Sequence, residues 1–245
     1  KANALNISAL TSFYYFGYCI VQIPAGYIID HFSLKKIGVL SIAICIISII
    51  FFILSTDITT GIISRAVMGA ASAFSYIGVL AIAKRYFYNQ FNLISATTIS
   101  IGALIAAISQ IGLSELISLS HWHVPFIFFI AFGLVIILFL LLTAKLPNPY
   151  PANNYSNNSS NKLSYFLKGL NLIQLIKNPA ITLNGLIGGL IYLPTSILAD
   201  TWGIHFLKLK NSITNTQGSI IIMFLFLGWS IGALSIGYLA KKNKS

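Results

Sequence analysis

Residues 37–55 read IGVLSIAICIISIIFFILS, an unbroken run of apolar and small side chains without a charge. At about 1.5 Å per residue, a helix of this length crosses roughly 30 Å of hydrocarbon. A membrane β-barrel would instead show segments of about ten residues in which polar and apolar side chains alternate. The stretch therefore predicts a membrane helix, whose backbone groups are all satisfied within the helix itself.

Similar apolar runs recur along the whole chain. Of its 245 residues, 57% are hydrophobic and 8% are charged, whereas a soluble domain carries about a quarter charged residues. We therefore expect an all-α polytopic membrane protein with about seven transmembrane helices. The predicted spans cover residues 8–29, 37–55, 58–81, 93–119, 124–144, 181–201 and 219–240.

The chain is strongly basic, with 15 basic residues against 4 acidic ones and a net charge of +11. In a membrane protein such residues gather in cytoplasmic loops, so we expect no nucleic-acid partner. Lys and Arg follow the first, third, fifth and seventh spans, and only Lys208 and Lys210 depart from this alternation. The pattern predicts a multi-pass protein of the cell inner membrane with its N-terminus outside.

Two segments of the chain resemble each other. Residues 16–27 read FGYCIVQIPAGY, and residues 227–238 read LGWSIGALSIGY, with glycines at matching positions. Both segments run into a basic turn and cross the membrane in the same predicted direction. Parallel repeats of this kind relate the two halves of some secondary transporters.

The sequence of the turn after the first segment resembles the signature of a known family. Residues 26–36, GYIIDHFSLKK, resemble the major facilitator signature G-x-L-a-D-R-x-G-R-K between transmembrane helices two and three. Gly26, Asp30 and Lys35 match it, but the residues at 31, 33 and 34 depart from it. A second element, Arg65 followed by Gly69 four residues later, resembles the R-x-x-x-G-x-x-x pattern of the family's fourth helix.

The resemblance implies a domain organisation. The seven spans are similar to helices two to eight of a twelve-helix transporter, so we expect a fragment that lacks helices present in the full-length chain. Residues 1–144 correspond to most of the N-terminal bundle, and residues 181–245 to the start of the C-terminal bundle. Residues 145–180 correspond to the cytoplasmic linker, with an Asn/Ser/Pro-rich part and an amphipathic helix near 162–177. Pro179 marks the start of the next helix.

The resemblance also implies a function. We expect a secondary active transporter, or permease, that moves a small polar or anionic solute by alternating access, coupled to H⁺ or Na⁺. The fourth span lacks the Gly-Pro pair of the family's antiport signature, which favours symport. The signature turn contributes the gating residues, and Gly26 is expected to permit close helix approach. These gating residues are Gly26, Asp30, Lys35 and Lys36.

Arg65 is the basic residue that lies deepest in a predicted span. A charge there costs at least about 2.5–3.5 kcal/mol, so it must face the bundle interior and find a partner. One interpretation is a site for an anionic solute, such as an amino acid or organic acid, or for proton coupling. The other is a structural salt bridge or a clamp on backbone carbonyls.

Further polar residues lie on the spans. Tyr14, Tyr18 and Gln22 recur every four residues on one helix face and could hydrogen-bond a solute, although packing alone would also explain them. The remaining binding candidates are Gln110 on the fourth span and Asn184 and Tyr192 on the sixth. Asp200 falls at the predicted outer end of the sixth span, where it would gate or cap.

Two alternatives remain. One is a non-transporting receptor or scaffold with seven spans, and the other is a truncated, transport-inactive protein. No cluster of residues has metal-ligand spacing, and no nucleotide-binding loop is present. We therefore expect no enzyme activity, metal or cofactor, and the expected partners are the lipid bilayer, a solute and an ion.

Overall fold

The computed structural model describes residues 4–143 and 177–242, and within these ranges it contains helices and no strands. The predicted all-α fold is confirmed. Most of the predicted linker lies outside the described residues, as does its amphipathic helix up to residue 176. Asn178 precedes the helix that begins at Pro179 and accepts a 3.0 Å hydrogen bond from the Ala180 amide, which confirms the predicted start.

Seven long helices make up this part of the chain. Short turns join most of them, among them a 3₁₀ turn at Tyr88–Gln90. The helices are α1 (Ala4–His31), α2 (Leu34–Leu54), α3 (Ile58–Tyr86), α4 (Phe91–Leu119), α5 (Val124–Thr143), α6 (Pro179–Asn211) and α7 (Asn215–Lys242).

Six of the seven helices are long and apolar enough to cross a membrane. The exception is α1, which at 28 residues is long enough. Its hydropathy is lower because Tyr14, Tyr15, Tyr18 and Gln22 replace apolar side chains in its middle. The helix therefore carries the polar stripe predicted from the sequence.

Helix α6 is longer than predicted. The predicted span ended at residue 201, but the helix continues to Asn211. Its final part, Gly203–Asn211, places Lys208 and Lys210 in the last turn, so these two lysines lie on a helix end. The prediction stopped too early because this amphipathic continuation is less apolar than the span before it.

The middle of α6 is a π-helix at Thr195–Trp202. Pro194 stands immediately before it and lacks the amide hydrogen that would continue the α-helical pattern. The Thr201 hydroxyl donates to the Ser196 carbonyl oxygen, five residues back, at 3.2 Å. A Cβ atom on Gly203 would overlap the Leu198 carbonyl oxygen, so glycine fits where the π-helix ends.

The chain forms two compact units. The first contains residues 1–81 and 126–174, and its described part holds α1, α2, most of α3, and α5. In this unit α1 and α3 cross in backbone contact, because Cβ atoms on Gly17 and Gly69 would overlap the carbonyl oxygens of Ala66 and Tyr14. Small residues allow such close crossings in membranes.

The second unit contains residues 82–125 and 175–245, so it holds α4, α6 and α7. Along α4, Ala96, Ser100, Ala103 and Ala107 are buried at helical spacing. A Cβ on Gly237 of α7 would overlap the Ala96 Cβ. We call this packed line the α4–α7 seam. Its described core also contains Ala199, Ile222 and Phe226.

The two units group helices by contact, whereas the bundles expected from the resemblance divide the chain at the linker. The expected boundaries at 144 and 181 therefore stay a prediction. The glycines paired by the internal repeat also differ in their surroundings. Gly237 contacts Ala96, but no described atom lies within 4 Å of a Cβ placed on Gly26.

Candidate functional site

Arg65 lies one and a half to two turns into α3 and is half-buried. Its Nε donates to the Leu10 carbonyl oxygen of α1 at 3.4 Å, and one Nη atom lies 3.6 Å from the Met68 sulfur. The guanidinium carbon lies 4.8 Å from the centre of the Tyr14 ring. Arg65 is therefore held at the crossing of α1 and α3.

These contacts leave much of the guanidinium free. A guanidinium has five N–H donors. Two of them are used, one in the long hydrogen bond to Leu10 and the other in the contact with the Met68 sulfur, a weak acceptor. Among the described residues no carboxylate forms an ion pair with Arg65. The hydrogen bond to the Leu10 carbonyl agrees with the alternative in which backbone carbonyls hold Arg65. It does not supply a negative charge to balance the guanidinium.

Tyr14 is fixed by a second contact with α3. Its hydroxyl lies 3.0 Å from the Ser72 hydroxyl, which donates to the Gly69 carbonyl oxygen at 2.9 Å. Since the Ser72 hydrogen is used in that bond, Tyr14 is the donor to Ser72. This leaves the face of the Tyr14 ring for the Arg65 cation, a stabilising arrangement in a desolvated site.

The other residues of the α1 stripe are half-buried on the same helix. Tyr18 and Gln22 make no hydrogen bond with any residue in 4–143 or 177–242. Their polar groups are therefore not used in hydrogen bonds within the described part of the chain. The structure brings Tyr14 directly to Arg65 and places Tyr18 one turn farther along α1.

Sequence reasoning missed three contributors to this site: Leu10, Met68 and Ser72. Met68 follows Arg65 by three residues and therefore lies beside it on a helix, so that spacing was a usable signal. The carbonyl of Leu10 and the hydroxyl of Ser72 depend on how α1 and α3 are aligned, for which the sequence contains no local signal.

The remaining binding candidates belong to the other compact unit. Gln110 on α4 is half-buried, and Asn184 on α6 is exposed. The Asn184 side chain donates to the Ala180 carbonyl oxygen of its own helix at 2.9 Å. The Tyr192 hydroxyl donates to the Asp200 Oδ2 atom at 3.1 Å, and its ring meets Trp229 edge-on at 5.8 Å.

At Gly26 of the signature turn, no described atom lies within 4 Å of a Cβ built at this position. Helix α1 meets α3 instead at Gly17, about two and a half turns away. The close helix approach expected at Gly26 therefore stays a prediction.

The lysines of the turn differ in their contacts. Lys35 Nζ donates to the Leu141 carbonyl oxygen near the C-terminal end of α5, at 2.9 Å. A cation is favourable there because the last helical carbonyls lack intrahelical partners. Lys36 and Asp30 are exposed.

Two surface grooves lie elsewhere. One of about 360 Å³ is lined by Lys84, residues 88–93 and Ala240, and another of about 330 Å³ lies between α2 and α3. Neither contains a predicted binding residue. Within the described ranges, no group of three or more His, Cys, Asp or Glu side chains could hold a metal ion.

Comparison with known proteins gives a single family. The sequence model of the Major Facilitator Superfamily matches residues 1–245, the whole chain. Neither the curated proteins nor the solved structures contain a match. With its seven long helices, six of them able to span a membrane, the chain belongs to the major facilitator superfamily, a family of multi-pass membrane transporters.

Proposed function

We propose that the protein is a secondary transporter that moves a small anionic solute, such as an amino acid or organic acid, across the cell inner membrane. The observation that carries this proposal is Arg65, a half-buried cation inside a membrane helix with no carboxylate partner among the described residues. A charged group in such a position is costly unless a partner compensates it. An anionic solute would supply the missing charge.

The chemistry of Arg65 favours a carboxylate. A guanidinium presents two parallel N–H donors that match the two oxygens of a carboxylate. The Leu10 carbonyl oxygen accepts from Nε, one Nη atom contacts the Met68 sulfur, and the Tyr14 ring lies against the guanidinium, so the remaining donors would bind the solute. Tyr18 and Gln22, with free hydrogen-bonding groups on the same face of α1, would bind its other polar atoms.

The transport cycle would follow the family's alternating access. Residues 1–144 would belong to one bundle and residues 181–245 to the other, and the two would rock around the solute. A proton or ion gradient would drive the cycle, with symport favoured. Gln110, Asn184 and Tyr192 would contribute to the cavity.

The signature turn would act as the gate. Lys35 contributes by tying the start of α2 to the end of α5, and Asp30 would accept hydrogen bonds or a charge at the cytoplasmic surface. We expect Asp30→Asn to lower transport with little loss of expression. Normal uptake by this variant would remove Asp30 from the gating role.

The proposal is tested by uptake. Cells that express the complete protein as its gene encodes it are offered labelled solutes in matched pairs, each carboxylic acid beside its uncharged amide. We expect uptake of at least one acid above the vector control and much less of its amide. Equal uptake of both members of every transported pair would contradict an anionic substrate, and no uptake of any solute would contradict the transport function.

A further inference from the structure

Two histidines flank Trp122 in the turn between α4 and α5. The Val124 amide donates to the His121 carbonyl oxygen at 3.0 Å, and this bond closes a turn over residues 121–124. His121 is exposed and His123 is half-buried. The turn follows α4 on the predicted outer side of the membrane, so ions of the external solution can reach it without crossing the bilayer.

The imidazole rings of His121 and His123 lie close to each other. Their centres are 5.5 Å apart, and their planes differ by 11°. On a helix, residues two positions apart do not face each other, so the turn is what brings the two rings together. Neither imidazole forms a hydrogen bond with another residue in the described parts of the chain. The ring nitrogens are therefore able to bind a ligand from solution.

The separation of the two rings suits a shared metal ion. Imidazole is the commonest side-chain ligand of metals and suits divalent transition metals. Two imidazole nitrogens that bind one ion at about 2.0–2.1 Å in a tetrahedral arrangement hold their ring centres roughly 5 Å apart. The observed 5.5 Å is close to this distance. The outermost torsion of a His side chain is soft, so rotation about it can turn a nitrogen of each ring toward one ion.

The charges of the two neighbouring helices also favour a cation at this turn. Helices α4 and α5 contain no Lys or Arg. Glu115, one turn before the end of α4, adds a negative charge on the same predicted side of the membrane. A divalent ion at the histidines is therefore not opposed by any basic residue of the helices that the turn connects.

We propose that His121 and His123 form a site for a divalent transition-metal ion at the outer surface, with Cu²⁺ bound more tightly than Zn²⁺. Two side chains are fewer than the three or four that hold a resident zinc ion, in agreement with the lack of a larger cluster within the described ranges. Water would complete the coordination, and the ion would exchange with the external solution. A bound ion would cross-link the residues on either side of Trp122 and so stiffen the turn. This inference does not depend on the proposed transport function.

The test follows tryptophan fluorescence as Cu²⁺ is added near neutral pH. In the purified complete protein, Trp122 is kept as the one tryptophan and the others are replaced by Phe. The Trp122 ring meets the His123 ring edge-on at 5.8 Å, and Cu²⁺ bound this close quenches indole fluorescence. We expect saturable quenching, and His121→Ala and His123→Ala should each weaken the Cu²⁺ affinity at least about tenfold. The reason is that one imidazole then binds the ion without a second one held beside it.

A lone histidine beside a tryptophan provides the matched control. The His205 ring meets the Trp202 ring edge-on at 6.0 Å, and α6 contains no second His. With Trp202 kept as the one tryptophan, Cu²⁺ should bind at least about tenfold more weakly than with Trp122. Zn²⁺, which does not quench, should restore the Trp122 fluorescence by competition. Mg²⁺, which prefers oxygen ligands, should not restore it.

Thermal unfolding gives a second measurement that needs no fluorescence. Without metal, both histidine variants should unfold at the temperature of the unmodified protein. Zn²⁺ should raise the unfolding temperature of the unmodified protein more than that of either variant, because an ion that binds the folded state stabilises it. Equal Cu²⁺ affinity in the unmodified protein and both variants, or an equal effect of Zn²⁺ on their unfolding, would overturn the proposal.

Discussion

The hydroxyl groups of Ser100 on α4 and Ser230 on α7 lie 2.6 Å apart, and their residues are 1% and 2% exposed. The Ser230 hydroxyl also lies 3.1 Å from the Ser100 carbonyl oxygen and donates to it. Two polar groups are thus satisfied at the centre of the otherwise apolar α4–α7 seam. A buried hydroxyl without a partner would be costly there.

Removing one hydroxyl of this pair should destabilise the protein. We expect Ser100→Ala to lower the free energy of unfolding by about 1–2 kcal/mol, because it leaves Ser230 without its hydroxyl partner. The double variant with Ser230→Ala should lose less free energy of unfolding than the two single variants together.

Thermal unfolding in detergent measures these stability differences. Ser235→Ala is the control, because the exposed Ser235 hydroxyl bonds only its own helix; an equal effect of Ser100→Ala and Ser235→Ala would contradict the role of the pair.

The crossing of α1 and α3 should tolerate no side chain at Gly69. A Cβ there would overlap the Tyr14 carbonyl oxygen, a backbone atom that cannot move away. We expect Gly69→Ala to cost about 1–3 kcal/mol through overpacking and to weaken the contact between Tyr14 and Arg65. Gly78→Ala on the same helix, where no described atom lies within 4 Å, should be neutral or stabilising. Equal stability of the two variants would show that the helices do not cross this closely.

Asp57 should make stability depend on pH. The Thr60 hydroxyl and amide donate to its carboxylate at 2.7 and 2.8 Å, and these bonds lower the pKa of Asp57. When the pKa of a carboxyl is lower in the folded state than in the unfolded state, its ionised form stabilises the fold. This contribution is fully present at pH values above the unfolded pKa of Asp, about 4. This stability is lost as the pH falls through the lower folded value.

Unfolding measured between pH 3 and pH 7 tests this expectation. The stability difference between the unmodified protein and Asp57→Asn should shrink as the pH falls below about 4. Thr60→Val, which removes the hydroxyl donor, should reduce the same difference. A stability difference that does not change with pH would contradict the contribution of the Asp57 carboxylate.

The orientation in the membrane can be measured by labelling. Single cysteines replace Lys36, Arg85, Asp57 or Trp122 in a background without the two native cysteines. We expect a membrane-impermeant maleimide to label positions 57 and 122 in sealed cells and positions 36 and 85 only after permeabilisation, because positive loops face the cytoplasm. Strong labelling of position 85 in sealed cells, with none at 57, would reverse the orientation.

Apolar length predicted most of the fold, because a continuous run of about 20 apolar residues has few alternatives to a membrane helix. It failed at the end of α6, where residues 203–211 are amphipathic and continue the helix without the hydropathy of a span. It also gave no sign of the π-helix, although Pro194 and Gly203 mark its two ends. Asp200 therefore lies farther from the end of its helix than expected.

The candidate site was predictable in part. Arg65 was predicted as a site residue because it is a charged residue within an apolar helix. The spacing of Tyr14, Tyr18 and Gln22 placed them on one face of α1. The contacts of Arg65 with Leu10 and Tyr14 were not predictable, because they depend on the level at which α1 and α3 cross. That level is set by Gly17 and Gly69, whereas the sequence drew attention to Gly26.

Direct measurement of solute binding to Arg65 variants tests the central claim. In the complete purified protein, Arg65→Ala should weaken binding of the transported acid at least about tenfold, since a hydrogen bond to a charged group contributes about 1.5–3 kcal/mol. Arg65→Lys should restore it poorly because it lacks the two-pronged geometry of the guanidinium. Arg85→Ala, at the other end of α3, should bind normally. Unchanged affinity in both Arg65 variants, with unfolding temperatures close to that of the unmodified protein, would contradict the assignment of Arg65 as the solute-binding residue.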